Sequence, residues 1–386
     1  MKGCDAMTTE EIRAAIDSSV RQTRLACERM GDKFMSAVSE KNFYRPIERE
    51  EWNWTEGFFT GEIWLAYEHT GDEFFKNLAL RHVDVFLDRI KKKQNVAHHD
   101  MGFLYSPSCA AAYKLTGSER AREAVILAAE QLLSRFKAKG NFIQAWGGPD
   151  NPDEYRLIVD CLLNLPLLYY ASEITGDDKF AAAAQKHTAT TMSVILRDDY
   201  SAYHTYFFDP ETGAPVKGVT AQGNRNGSAW ARGQAWAVYG IALSYKYTGK
   251  YADEFRKVTD FFISHLPADL APYWDFDFTD GSGEPKDSSA AAIAACGMLE
   301  MARLLGDDGK YYAGVAEKII KSLADHYAVK DEKISDGQLL HGVYSKISKY
   351  NGRAYEEGVD ECNIWGDYFY AEALMRLSNP KWEQYW

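Results

Sequence analysis

AYEHTGDEFF, residues 66–75, closes one helix and opens another. An apolar run ends at Thr70, Gly71 follows, and Asp72 and Glu73 start a new segment. Glycine just past a helix is a common left-handed stop, because it enters that backbone region without a steric penalty. The phrase returns as AAYKLTGSERA (111–121), YASEITGDDKF (170–180), LSYKYTGKYAD (243–253) and MARLLGDDGKYY (301–312). The glycines are Gly71, Gly117, Gly176, Gly249 and Gly306. A weaker copy, FYAEALMRLSNPKW (369–382), puts Asn379 in the glycine's place.

The segments before each stop are apolar nearly all round, as in IVDCLLNLPLLYYA (158–171), GQAWAVYGIALSY (233–245) and AAAIAACGMLEMARLL (290–305). Helices of that kind are buried. The segments after each stop are amphipathic, as in DEFFKNLALRHVDVFLDRIKKK (72–93), and read as outer helices with one wet face. TTEEIRAAIDSSVRQTRLACERM (8–30) supplies a sixth outer helix. Six buried helices alternating with six amphipathic ones predict an all-α fold, an (α/α)6 barrel or six-hairpin toroid, in a single domain over residues 1–386. A closed ring is favoured over an open solenoid because the chain starts on an outer helix and ends on an inner one.

The composition narrows the function. A formal net charge of −12 argues against nucleic acid and anionic membranes. The six cysteines (Cys4, Cys27, Cys109, Cys161, Cys296, Cys362) form no C-x-x-C pair or zinc spacing. Reduced thiols, no secretory leader and no apolar run long enough to span a bilayer point to a cytoplasmic protein, monomeric or weakly self-associating. No cofactor or metal is expected.

Counting back one barrel height, about 25 Å of helix, from each stop reaches Thr55, Asp100, Asp160, Arg232, Ser289 and Asn363. Trp54, His99, Arg156, Gln234, Trp236, Asp287, Trp365 and Asp367 lie beside them. Polar and aromatic residues therefore gather at one rim, and a concave site is expected there. Long loops enter the same rim. GNFIQAWGGPDNPDEY (140–155) carries Trp146, and the hairpin-like YHTYFFDPETGAPVKGVTAQGNRNGS (203–228) carries His204 and Gln222.

Asp100 follows two histidines at a helix start, where it reads either as a cap or as a functional acid. A metal site at His98, His99 and Asp100 is disfavoured, since adjacent histidines diverge on a helix and no second ligand cluster follows. Asp160 sits among Val159, Cys161, Leu162 and Leu163. A carboxyl in such surroundings near a second carboxylate holds its proton to higher pH, which suits a general acid. Asp100 and Asp160 are the acid/base candidates. Arg232, interior and cationic, needs an anion: Asp100, Asp160 or a substrate carboxylate.

HHDMGFLYSPS (98–108), WGGPDNPDEYRLIVDCLLNLPLLYYA (146–171), HTYFFDPETGAPVKGVTAQGN (204–224) and SAWARGQAWAVYG (228–240) resemble the unsaturated glucuronyl hydrolases of glycoside hydrolase family 88. The resemblance runs from WNWTEGFFTG (52–61) to the end of the chain. It implies release of an unsaturated uronic acid from the non-reducing end of lyase-generated glycosaminoglycan oligosaccharides. The chemistry implied is protonation of carbon 4 of the vinyl ether, addition of water at carbon 5, and collapse of the resulting hemiketal. It implies Asp160 as acid/base and Asp100 as the assisting aspartate, with Trp54, His99, Trp146, His204, Gln222, Arg232 and Trp236 binding the sugar. Ser345, Ser348 and a nearby lysine in HGVYSKISKYNGR (341–353) are expected to contact the neighbouring sugar or its sulfate. The rivals are an unsaturated rhamnogalacturonyl hydrolase of pectin fragments, a conventional inverting glycosidase, and a non-catalytic sugar-binding toroid.

Overall fold

The computed structural model describes residues 7–149 and 151–386. Cys4 and the leader reading of residues 1–6 lie outside it. The outer helices are α1 (Thr9–Met30), α3 (Glu73–Lys91), α5 (Glu119–Leu133), α7 (Lys179–Val194), α9 (Ala252–Ser264) and α11 (Lys310–Ser322). Four inner helices are α2 (Glu56–Thr70), α8 (Ala231–Thr248), α10 (Ser288–Leu305) and α12 (Ile364–Ser378). The other two are interrupted. Inner helix α4 comprises Met101–Tyr105, a π-turn at Ser106–Ala110 and Ala111–Thr116. Inner helix α6 comprises Cys161–Asn164 and Pro166–Thr175. Pro107 and Pro166 have no N–H to give the ladder, which accounts for both irregularities.

Each inner helix packs on the next, and α12 packs back on α2, closing the ring. Helix α1 packs against both α2 and α12 and covers the seam. This is an (α/α)6 barrel. Helix α10 lies in a stretch apolar enough by composition to cross a membrane, but it is an inner staff and mostly buried. The five described cysteines, Cys27, Cys109, Cys161, Cys296 and Cys362, are buried and free.

The stops behave as read at four of six positions. Gly71, Gly117, Gly176 and Gly249 take the left-handed conformation, each returning its N–H to a carbonyl of the last turn. Gly306 has φ 60° but ψ −124° and leads into a 3-10 turn instead. Asn379 is extended, φ −138°, so the sixth copy stops without a left-handed residue. The opposite rim is also less apolar than its sequence suggests. Arg376 pairs there with Glu300 at 2.7 Å and Glu372 at 3.0 Å, all buried. Trp386 seals that end, stacked on Phe369 at 5.8 Å and donating its indole N–H to Glu372 at 2.7 Å.

Small residues let the inner staffs approach. A side chain on Gly297 would place Cβ 2.6 Å from the Cα of Tyr239 on α8. One on Gly102 would overlap the backbone of Asn164 on α6. At that contact Asn164 Oδ1 accepts from the Phe103 backbone N–H at 2.9 Å, in the first turn of α4. Asn164 Nδ2 donates to the Asp160 carbonyl at 3.3 Å. One asparagine thus ties the starts of α4 and α6 together. Gly102→Ala is expected to lower stability by about 1–3 kcal/mol through overpacking, measured by urea unfolding, and to lower kcat because it pushes those starts apart.

Candidate active site

Short strands and loops build the rim over the inner-helix starts. Strands β1 (Phe34–Met35) and β2 (Pro46–Ile47) pair near α2, and β3 (Phe136–Lys137) pairs with β4 (Phe142–Ile143). Strand β5 (Arg156–Ile158) joins β6 (Thr205–Phe208) and β7 (Pro215–Val219) in an antiparallel sheet. The 205–219 segment is the hairpin read from sequence, its turn closed by Asp209 Oδ1 accepting from Glu211 and Thr212 N–H. Strands β8 (Gly342–Ser345) and β9 (Glu357–Glu361) form the last hairpin.

Asp100 and Asp160 both occupy the residue before a helix, and neither carboxylate caps it. Of the two sequence readings of Asp100, the capping one holds for position only; Asn164 supplies the acceptor that α4 lacks. Both carboxylates turn toward His99 instead. His99 Nε2 lies 3.3 Å from Asp100 Oδ1 and 3.4 Å from Asp160 Oδ1. His98 Nδ1 lies 3.1 Å from Asp100 Oδ2.

The two acids differ electrostatically. Burial, reinforced by the negative charge of Asp100, pushes Asp160 well above the usual carboxylate range. Burial also acts to raise Asp100, but His99, His98 and Arg135 outweigh it and hold Asp100 below its usual value. Burial lowers His99 to about 4, so its ring is neutral near pH 7. The Asp160 side chain is 17% exposed, against 8% for Asp100, and its Oδ1 has no hydrogen-bond partner. A reachable acid that holds its proton to higher pH, beside one that gives it up more readily, is the arrangement proton transfer needs.

A cavity of about 230 Å³ opens above this pair, lined by Trp54, Asp100, Trp146, Asp160, His204, Gln222, Trp230, Arg232, Trp236, Tyr344 and Arg353. Eight of the sequence candidates thus meet in one place. His204 sits one sheet bond from the acid, its carbonyl accepting from Val159 N–H at 3.0 Å. Its Nδ1 accepts from the Ala221 and Gln222 amides at 2.8 and 3.1 Å, which leaves the proton on Nε2. Burial, then Arg232 and Arg156, lower His204 to about 3, so it is a neutral donor. Trp54 stacks on Trp365 at 5.1 Å and donates to the Tyr344 hydroxyl at 3.1 Å. Trp236 rests on Phe103 at 5.2 Å.

Three candidates stand elsewhere. His99 is buried between the two aspartates, its Nε2 near both but hydrogen-bonded to neither, and is not among the residues that line the cavity. Ser345 is buried, its hydroxyl without a partner. Ser348 Oγ donates to the Asn224 carbonyl at 2.5 Å and accepts from the Tyr350 and Asn351 amides, holding its own loop. Within the chain Arg232 finds its anion in Asp287 at 3.0 Å, neither of the two aspartates the sequence suggested, and also donates to the Val343 and Tyr344 carbonyls. Gln234 turns outward to Ala202, Tyr200 and Val258. Tyr344 and Arg353 were missed as lining residues; both lie in the 341–353 stretch singled out for its serines and lysines. Trp230 also lines the cavity, one residue before helix α8.

The donor atoms of His99, Asp100 and Asp160 lie within 4.8 Å of one another, a set that could hold a metal ion. Asp160 would have to give up the proton that burial favours to do so.

The geometry agrees with the relationships of the chain. The model of Glycosyl Hydrolase Family 88 matches residues 26–378. An unsaturated chondroitin disaccharide hydrolase of Streptococcus pneumoniae is 46% identical, covering 98% of this chain and 95% of the relative. The crystal structure of unsaturated glucuronyl hydrolase from Streptococcus agalactiae superposes with a TM-score of 0.93 at 44% identity, over 99% of this chain and 95% of that one. A mutant of the same streptococcal enzyme, complexed with dGlcA-GalNAc6S, superposes with a TM-score of 0.85 at 41% identity, over 99% and 95%. With its barrel and its paired aspartates, the chain is a glycoside hydrolase and belongs to glycosyl hydrolase family 88.

Proposed function

We propose that this enzyme removes the unsaturated uronic acid from chondroitin-type disaccharides, with Asp160 as the proton donor. The observation that carries the reading is the Asp160 carboxyl, open to the cavity and facing Asp100 across His99, with burial and the Asp100 charge raising it while Asp100 is held low. The names of the relatives favour glucuronyl and chondroitin substrates over the pectin fragment or a conventional glycoside.

In this reading Asp160 gives its proton to carbon 4 of the vinyl ether. Positive charge develops at carbon 5 and the ring oxygen, and water attacks carbon 5, returning a proton to Asp160. The hemiketal then opens: carbon 5 becomes a ketone and the ring oxygen leaves with carbon 1. The hemiacetal left at carbon 1 collapses to an aldehyde and expels the second sugar. Asp100 stays ionised, holds a hydroxyl and keeps Asp160 protonated by its charge. Trp54, Trp146 and Trp236 offer faces to the sugar's C–H surfaces. His204 Nε2–H, Gln222 and Arg232 supply donors to its hydroxyls and carboxylate. His99, packed between the two carboxylates, sets their separation. The single domain expected over residues 1–386 is read as one catalytic unit, because the ring closes only when the first and last inner helices meet. The buried free thiols support a cytoplasmic location.

Incubation with an unsaturated chondroitin disaccharide should abolish the ultraviolet absorbance of the conjugated double bond. Release of saturated sugar with that absorbance intact would contradict the reading. Asp160→Asn should cut turnover by at least about 10²–10⁴-fold, while its melting temperature holds or rises, since the amide needs no proton to be buried near neutral pH. The pH profile of kcat/KM should be a bell. It falls on the alkaline side as Asp160 ionises, above the ordinary carboxylate range, and on the acid side as Asp100 protonates. Asp100→Asn removes the charge that helps Asp160 keep its proton, so the alkaline limb should move to lower pH in whatever activity remains.

A further inference from the structure

Two guanidinium groups line the cavity, Arg232 and Arg353. The charge of the first is already balanced by Asp287, and its Nη1 is fully used by Asp287 and the Val343 carbonyl. The second is not. Arg353 Nη1 donates to the Ala221 carbonyl at 3.1 Å, while its Nε is buried and has no partner. Among the described residues no carboxylate forms an ion pair with it. Its field reaches Glu357, yet burial still pushes that carboxyl up. A guanidinium held this way is short of an anion, and its fork suits a planar or tetrahedral oxyanion.

The arginine is also held in place. The loop between β8 and β9 is stitched to residues 221–224 by Ser348 Oγ on the Asn224 carbonyl, Asn351 Nδ2 on the Gly223 carbonyl at 3.1 Å, and Arg353 itself on Ala221. Gln222, in the middle of that segment, lines the cavity and donates to the Tyr344 carbonyl at 3.0 Å. The two loops form one roof over the site, with Arg353 its unpaired charge. A protein of net charge −12 repels an anionic sugar at long range, so capture must be local.

We propose that Arg353 is a specificity-determining residue whose guanidinium, held in the cavity wall without an anion, binds an oxyanion of the substrate through N–H groups that face the cavity. The inference rests on the substrate reading above. The oxyanion is either the carboxylate of the unsaturated uronate or a sulfate ester on the second sugar, and both present the same acceptor chemistry.

The test is steady-state kinetics of wild type, Arg353→Gln and Arg353→Lys on unsulfated and 6-sulfated unsaturated chondroitin disaccharides. Arg353→Gln should raise KM by about 10- to 100-fold with kcat little changed, and Arg353→Lys should recover part of the loss. An equal rise on both substrates identifies the carboxylate; a rise confined to the sulfated one identifies the sulfate. Asn351→Ala loosens the same loop without altering charge. Unchanged KM in Arg353→Gln on both substrates overturns the proposal, and so does an equal rise in Asn351→Ala, which would make Arg353 a loop anchor. A wild-type protein inert on both disaccharides removes the substrate reading, and the inference falls with it.

Discussion

Asn164 caps a helix that is not its own, and the chemistry of the site follows from that. Helix α4 begins at Asp100, where a carboxylate would ordinarily satisfy the first free amides. Here the acceptor for Phe103 N–H comes from α6. The same asparagine holds the carbonyl of Asp160, so the two helix starts are locked together over the Gly102 contact. Both aspartates are then released from capping and face one another across His99. A lost cap costs about 1 kcal/mol; the return is a pair of acids in unlike electrostatic states.

That difference is a matter of company rather than residue type. Asp100 faces His98 and His99 and lies in the field of Arg135. Asp160 faces the cavity, with burial and the Asp100 charge against its ionisation. The neutral rings of His99 and His204 add donors without adding charge. The two ends of the barrel are sorted accordingly. One is sealed by Trp386 over the Glu300–Arg376–Glu372 cluster, and the other stays open under the loops.

The barrel was legible because its signals are local. A glycine stop, an all-apolar run and an amphipathic run each fit within one helical hairpin, and the ring repeats them. The rim was legible for the same reason, since equal helix lengths put Asp100, Asp160 and Arg232 at one height. What was not legible depends on which staff faces which. Asp287 as the partner of Arg232 lies fifty-five residues away along the chain. The service of Asn164 to α4 and the turning of Gln234 away from the site are likewise set by ring closure. Tyr344 and Arg353 reach the cavity only because the β8–β9 hairpin folds back over the hairpin loop at 221–224, a pairing no local window contains. Asn379 failed as a left-handed stop because a sequence likeness to glycine does not compel the conformation.

Catalysis at this rim turns on the division of one proton between two aspartates. Carbon-13 NMR of the side-chain carboxyls, assigned with Asp100→Asn and Asp160→Asn, measures it directly in the free enzyme. The expected result is an Asp160 carboxyl still protonated near neutral pH, with Asp100 ionised there. An ionised Asp160 at that pH, or a proton found on Asp100 instead, would contradict it.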